Sequence, residues 1–305
     1  MKYLNVLRTR HVYGDGIHDD TKALQDALDK MRSGGTVYFP DGVYLISAAL
    51  IFYSNQWLKF SDNAVLLRSD QSEPVTRYLL AAYSEPETGG YEGTHDVVIS
   101  GGVFDGNKNL TECLTVINTV HCNNIVIKNC RFVHGAHWHY IELNSTSDAS
   151  VLDCVFDGCS YTAVRENLTS ELVRLDAADE GCYGPVYDWR GKLIDFKLDG
   201  TPCRNISIAS CIFKCAGSTA IGHHGNHPHE NIDIICNVFD GRSGIGDLSR
   251  GYICFMPQVK NVNISDNAFF STAEDDEPNV TFTVGNPAPD ALHTEGNSYY
   301  GSFSD

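Results

Sequence analysis

The sequence predicts an all-β solenoid: a coil of short parallel strands, closed at its N-terminal end by one amphipathic helix. Three observations carry this prediction. A ten-residue pattern recurs along the chain, ending at Phe104, Phe132, Phe156, Phe213, Phe239 and Phe269, with a weaker copy at Tyr299. Within each copy apolar residues alternate, as at Ile125 and Ile127 or Ile206 and Ile208, which is the period of a strand with one face inward. The units are too short and too β-rich to hold a crossover helix, so each buries its apolar face only against its neighbours.

In chain order, residues 1–34 are expected to form the cap. The run 19–32 places Ala23, Leu24, Ala27, Leu28 and Met31 on one helical face, with Asp19 or Asp20 available to cap the first turn. Two β-like runs follow in GGTVYFPDGVYLIS, broken at Pro40-Asp41-Gly42. The coil is expected over 35–305. Its aligned copies, HDVVISGGVF, NNIVIKNCRF, DASVLDCVF, RNISIASCIF, ENIDIICNVF and KNVNISDNAF, are spaced 28, 24, 57, 26 and 30 residues apart. The spacing of 57 fits two turns or one turn with a long excursion. Cys130, Cys154 and Cys211 share one repeat position, which Asn267 takes later, and are expected to stack as an internal ladder.

Composition limits the function. The 305 residues carry 22 Lys and Arg against 39 Asp and Glu, a formal charge of -17, and this field disfavours nucleic acid and anionic membrane surfaces as partners. No run approaches the roughly 18 apolar residues of a membrane span, and no signal peptide is visible, so the expected location is cytoplasmic or virion-associated. Eleven cysteines are an odd number in a chain able to build its own core, so most are expected as free, buried thiols.

The opening YGDGIHDDTKALQDAL, followed by GGTVYFPDGVYLI and by the repeats, resembles the pectate-lyase-like superfamily of right-handed parallel β-helices. The resemblance implies a right-handed coil. The superfamily holds hydrolases, lyases, epimerases, transferases and receptor-binding proteins, so function has to be argued from the site. Its polygalacturonase-like members order their catalytic elements as N-T-D, D-D, G-H-G and R-I-K on successive turns. Here Gly222-His223-His224-Gly225 falls at the place of G-H-G, and the earlier turn carries Glu142. No adjacent Asp pair stands on the intervening turn, and GYICFMP holds no counterpart of R-I-K.

Strand alternation supplies a candidate groove. With Ile141 and Leu143 inward, Trp138, Tyr140 and Glu142 face out; with Val173 and Leu175 inward, so do Arg174 and Asp176. By the same count His224 and Tyr252 face outward, and His223 supports His224 from below. Glu142 and Asp176 are the expected acid/base pair for cleaving a glycosidic bond, with His224 assisting. Trp138, Tyr140, His139, Arg174, His223 and Tyr252 are the expected substrate contacts, the aromatics by stacking on sugar rings. His227 and His229 are expected in a solvated turn. Arg165-Glu166 is the alternative to Arg174-Asp176 on that turn. The strand spacing leaves retaining and inverting chemistry both open. No cofactor or metal is expected, because the histidine spacing matches no H-E-x-x-H or Cys/His pattern.

The expected partner is a polysaccharide or oligosaccharide, and the expected activity is a glycoside hydrolase. Two alternatives stand beside it. A tailspike or glycan-binding β-helix would use the same groove without chemistry, and a tailspike would bring a homotrimer with it. A polysaccharide lyase would need cations to neutralise an acidic sugar, and Lys is scarce near the groove.

Overall fold

The computed structural model describes residues 2–70, 77–109, 114–136, 138–160, 171–180, 185–214, 219–223, 225, 227–241, 252–255, 258–270, 279–280, 282–284, 291–301 and 303–304. Among them, two ten-stranded sheets and one eight-stranded sheet run the length of the molecule as a right-handed parallel β-helix. The first sheet extends from Tyr3–Asn5 to Leu292–Glu295, the second from Asp15–Asp19 to Ser298–Tyr300, and the third from Leu50–Phe52 to Phe282–Val284. The strands Tyr3–Asn5 and Asp15–Asp19 precede the helix in sequence and already pair with Gly35–Phe39 and Gly42–Ile46, so the sheets start inside the segment expected as the cap.

Helix α1 spans Thr21–Lys30 and buries Leu24, Ala27 and Leu28 over the open end of the coil. Asp20 sits at its N-cap, but its carboxylate instead accepts Tyr13 N and Gly14 N at 2.7 and 3.0 Å. Asp19 meets the helix, accepting Thr21 N at 2.9 Å.

The repeated Phe residues stack inside the coil. Rings of Phe132, Phe156, Phe213, Phe239 and Phe269 lie 4.6 to 5.0 Å apart and within 8° of parallel, and Tyr299 continues the column at 5.5 Å. Phe156 and Phe213 are direct register partners, so the spacing of 57 is one turn with an excursion. Beside the rings runs the expected ladder of Cys130, Cys154 and Cys211, which passes into Asn237, Asn267 and Asn297. The amide chemistry of Asn replaces the thiol there: Asn237 Nδ2 donates to Ile208 O and Asn267 Nδ2 to Ile234 O, both at 2.9 Å. Gly102 takes this position one turn earlier, where a Cβ would lie 2.6 Å from Phe60 Cβ. The seven cysteines whose side chains are described are free of disulfides, and five of them are buried.

Each turn bends at left-handed residues. Asp96, Asn124, Asp148, Asn205, Asn231 and Asn261 share one corner with φ between 51° and 57°. Asn is among the few side-chain-bearing residues that visit this region readily, which explains the Asn before the first apolar residue in most copies of the repeat.

The excursion leaves the third sheet after Asp176 and returns at the strand Arg204–Ala209. It carries a short antiparallel pair, Val186–Tyr187 with Leu193–Ile194, and lies back along the coil towards α1. His121 sits between them, its two ring nitrogens each 2.8 Å from a carbonyl oxygen, Gly90 and Lys197. Ser145 Oγ donates to Thr201 O, and Lys22 of α1 lies over the Trp189 ring.

Candidate active site on the third sheet

The third sheet aligns Asn118, Glu142, Arg174, Gly222 and Cys254 in one row across successive turns. Asn144 and Asp176 form a parallel row two residues on. Glu142 therefore faces Arg174 directly and Asp176 diagonally. The strands Ile141–Asn144 and Glu171–Asp176 present Glu142, Arg174 and Asp176 on one outer face, as the alternation of Ile141, Leu143, Val173 and Leu175 requires.

The environment differs from the open groove expected from the sequence. Glu142 is 3% exposed and Asp176 0%, so both carboxyl groups are buried. Arg174 pairs with Asp176 through Nη2 and Oδ2, and its Nη1 lies 3.2 Å from His139 Nε2. His139 Nδ1 lies 2.7 Å from Glu171 O, so that nitrogen donates and Nε2 is left to accept from the guanidinium. Arg174 is thus held from both ends, by the Asp176 carboxylate and by a neutral imidazole.

Glu142 Oε2 accepts from Asn118 Nδ2 at 3.2 Å and Thr115 Oγ1 at 3.4 Å. Burial pushes its carboxyl up to about 7; Arg174 opposes this, the nearby Asp176 charge adds to it, and the Asn118 and Asn144 amides pull downward. Removing the charged form from water is the dominant cause. The result is two carboxyl groups with different environments: one paired to a cation, the other poised to hold or release a proton near neutrality.

Two expected groove residues lie elsewhere. Tyr140 packs on Phe132 and Phe156 inside the coil, its hydroxyl accepting Gly135 N at 2.9 Å. Tyr252 packs on Phe239 and Phe269, its hydroxyl donating to Phe270 O. Strict alternation fails at the start of these strands. Tyr140 and Ile141, Leu172 and Val173, Ala220 and Ile221, and Tyr252 and Ile253 are consecutive pairs with both members fully buried. Ala220 N and Ile221 N share one acceptor, Tyr252 O, the mark of a bulge. Alternation slips by one residue at this end of the strands, so a backward count from Ile141 or Ile253 assigns the wrong face.

His223 is buried at the end of the strand Thr219–Gly222, its ring 4.7 Å from His229 and 5.7 Å from Phe255. His229 was expected in solvent and is instead completely buried: Nδ1 accepts Cys203 N at 2.8 Å, and burial, reinforced by His223 and His227, pushes the ring well below the usual histidine range. His227 pairs with Asp179 at 2.7 Å. Gly225 passes beside Asp176, where an added Cβ would lie 3.5 Å from Oδ1, so the histidine stretch borders the acid cluster. His224 lies outside the described residues, as do Arg165 and Glu166. Trp138 is half-buried beneath the Arg77 guanidinium at 4.9 Å. Sequence reasoning missed Thr115 and Asn118, because the strand Thr115–Val120 holds no copy of the repeat; their polarity inside an otherwise apolar run was the available signal. It also passed over Asn144, two residues after Glu142 on the strand Ile141–Asn144.

The family described as rhamnogalacturonase A/epimerase, pectate lyase-like, matches residues 3–59. Plasmin and fibronectin-binding protein A of Streptococcus pneumoniae (strain ATCC BAA-255 / R6) is 26% identical over 269 residues, which cover 78% of this chain and 36% of that protein. The preneck appendage protein of Bacillus phage PZA is 30% identical over 246 residues, covering 77% of this chain and 23% of that protein. The chain thus spans about a third and a quarter of these relatives' lengths. Among solved structures, PfbA, a surface adhesin of Streptococcus pneumoniae, superposes with a TM-score of 0.72 at 20% identity, covering 98% of this chain and 77% of that one. An iota-carrageenase complexed to iota-carrageenan fragments superposes with a TM-score of 0.65 at 12% identity, covering 89% and 55%. No described helix is long and apolar enough to cross a membrane.

Proposed function

We propose that this chain, a pectate-lyase-like right-handed parallel β-helix, processes a carbohydrate by cleaving a glycosidic bond over its third sheet, with Glu142 as general acid and Asp176 as the second carboxylate. The observation that carries this reading is the Glu142 carboxyl, raised to about 7 beside an Asp176 held by Arg174. Glycoside hydrolysis needs one carboxyl protonated and its partner ionised at the same pH; here burial raises Glu142, and Arg174 is paired to Asp176.

In this mechanism Glu142 delivers its proton to the departing glycosidic oxygen. Thr115 and Asn118 orient the carboxyl, and His139 fixes Arg174 so that the guanidinium stays on Asp176. Asp176 then acts on the opposite side of the anomeric carbon. The diagonal register sets the two Cα atoms roughly 8 Å apart, from a strand spacing of about 4.8 Å and a rise of about 3.3 Å per residue. In this reading Asp176 takes a proton from the water that attacks the anomeric carbon, as the second carboxylate of an inverting enzyme does. Trp138, whose ring lies beneath the Arg77 guanidinium, is the aromatic residue assigned to stacking on a sugar in this reading.

A second reading has its own support. Glu142 and Asp176 are nearly inaccessible, and the relatives matched over most of this chain are named as a plasmin- and fibronectin-binding protein and a phage appendage protein. A glycan-binding module of a larger surface or virion protein would keep the polar cluster for structure alone.

Incubation with a panel of neutral and acidic polysaccharides, read by product mass, separates the two. Hydrolysis adds the mass of water, and Glu142→Gln is expected to lower turnover by about 10² to 10⁴-fold while glycan binding persists. Full turnover in Glu142→Gln would overturn the acid assignment; binding without any product would favour the second reading.

A further inference from the structure

The N-terminal end of the coil carries a concavity, remote from the Glu142 cluster. It is a cavity of about 590 Å³ between the strand Tyr3–Asn5, the turn that follows it and the solvent-side face of α1. Ala23, Asp26 and Lys30, three and four residues apart on the helix, form one wall; Arg8, Arg10 and His11 form the other. The volume lies within the range of small-molecule sites.

The charge distribution around it is unusual for this chain. Residues 1–32 hold six Lys or Arg against five Asp, a net +1, so the other 273 residues carry -18 of the formal -17. Each of the five carboxylates is already engaged. Asp15 meets His18, Asp19 meets Thr21, Asp20 accepts two backbone amides, Asp26 pairs with Lys22, and Asp29 accepts from Gln25 and Tyr53. Three of the six cations are engaged as well: Lys2 donates to Ser33, Lys22 pairs with Asp26, and Arg32 lies over Tyr53 and Tyr83. The remaining three, Arg8, Arg10 and Lys30, have no hydrogen-bonding or ionic partner among the described residues, and all three line this one cavity.

We infer that this cavity is a binding site for an anionic saccharide, whose carboxylate or sulfate oxygens Arg8, Arg10 and Lys30 receive. Three unpaired cations around one concavity repel each other until an anion enters, and the guanidinium forks match the planar oxygen pairs of a carboxylate. Tyr3 adds an exposed ring on the cavity wall, stacked on Tyr38 at 6.0 Å, which favours a sugar ring over a bare ion. The site would anchor an acidic glycan at a second point, at the opening coil, while leaving the third sheet free.

Titration calorimetry of the whole chain at low salt tests this with three probes: a trisaccharide of glucuronic acid, its carboxyl-reduced glucose counterpart, and inorganic phosphate. The acidic trisaccharide is expected to bind at one site, more tightly than either other probe, and to weaken as salt rises. The double variant Arg8→Ala/Arg10→Ala should lose at least about tenfold in affinity, the loss expected for one charge-assisted hydrogen bond or more. Lys59→Ala, a change on the first sheet, should bind as the parent does, and because the readout is binding without cleavage, a failure here is distinguishable from a failure of the cleavage mechanism. No saturable binding, unchanged affinity in the double variant, equal binding of the neutral trisaccharide, or tighter binding of phosphate would each overturn the assignment.

Discussion

The first two sheets and the third sheet solve different problems with the same backbone. Along the first two sheets the coils from Phe132 to Phe269 repeat one chemistry: a ring over a ring, a thiol or amide over its like and, where each coil enters the first sheet, a left-handed Asn or Asp over another. Across the outer face of the third sheet the row reads Asn118, Glu142, Arg174, Gly222, Cys254, with no residue type repeated. Stacking is a shape problem, answered best by identical neighbours at the strand spacing. A cluster that holds a carboxylic acid, a cation and a carboxylate together needs unlike neighbours, so this row carries no repeat.

The same contrast decides what the sequence discloses. The stacked Phe132, Phe156, Phe213 and Phe239 follow from a pattern that repeats, as do the Cys130, Cys154 and Cys211 ladder and the helix over α1. Glu142, Arg174 and Asp176 were placed on a common face because short alternating runs around them are regular. Their burial was invisible, since alternation says which side a residue takes and nothing of what covers that side. Tyr140 and Tyr252 were misplaced because alternation slips at the start of their strands, which a short apolar run does not reveal. His229 was misread because a polar, Pro-containing stretch suggests solvent, whereas its ring serves the Cys203 amide from another turn.

The strongest way to break the comparison is to remove one rung of the repetitive region. Phe156→Ala takes a fully buried ring from between two parallel ones and should cost about 3–5 kcal/mol in denaturant unfolding. Phe213→Ala should cost a similar amount, because its surroundings are the same. A loss below about 1 kcal/mol at either would mean that the column is not what holds the coil.

The third sheet should answer to pH instead. The Glu142 carboxyl titrates near 4.5 in the unfolded chain and at about 7 when folded, so between these values the folded state holds the extra proton. Stability therefore falls as pH rises through that window, by about 3 kcal/mol over the full range, and the contribution is fully present below it. Glu142→Gln removes the titration, so the parent should lose about 3 kcal/mol relative to the variant between pH 4.5 and 7. Parallel pH profiles for the two proteins would show that burial does not raise this carboxyl.

His229 lies at the border between the two regions. In His229→Ala the buried Cys203 N–H loses its acceptor, and unfolding should be easier by about 2 kcal/mol. An unchanged melting curve would return this histidine to the solvated turn that its sequence context suggests.

The smallest effect probes the corner residues, where repetition meets solvent. Asn231 holds φ at 57°, donates to Asn205 Oδ1 at 2.8 Å and accepts from Asn261 Nδ2 at 2.9 Å. Ala and Gly substitutions both delete the amide, and with it both hydrogen bonds, but only Ala places a Cβ in the left-handed region. Asn231→Ala should therefore be less stable than Asn231→Gly by about 1 kcal/mol, reduced somewhat because Gly also gains more freedom on unfolding. The loss from Asn to Gly then reports what the exposed amide ladder adds beyond backbone conformation. If Ala and Gly prove equal, the recurring Asn is kept for its hydrogen bonds, and the corner is a side-chain ladder like the buried one beside it.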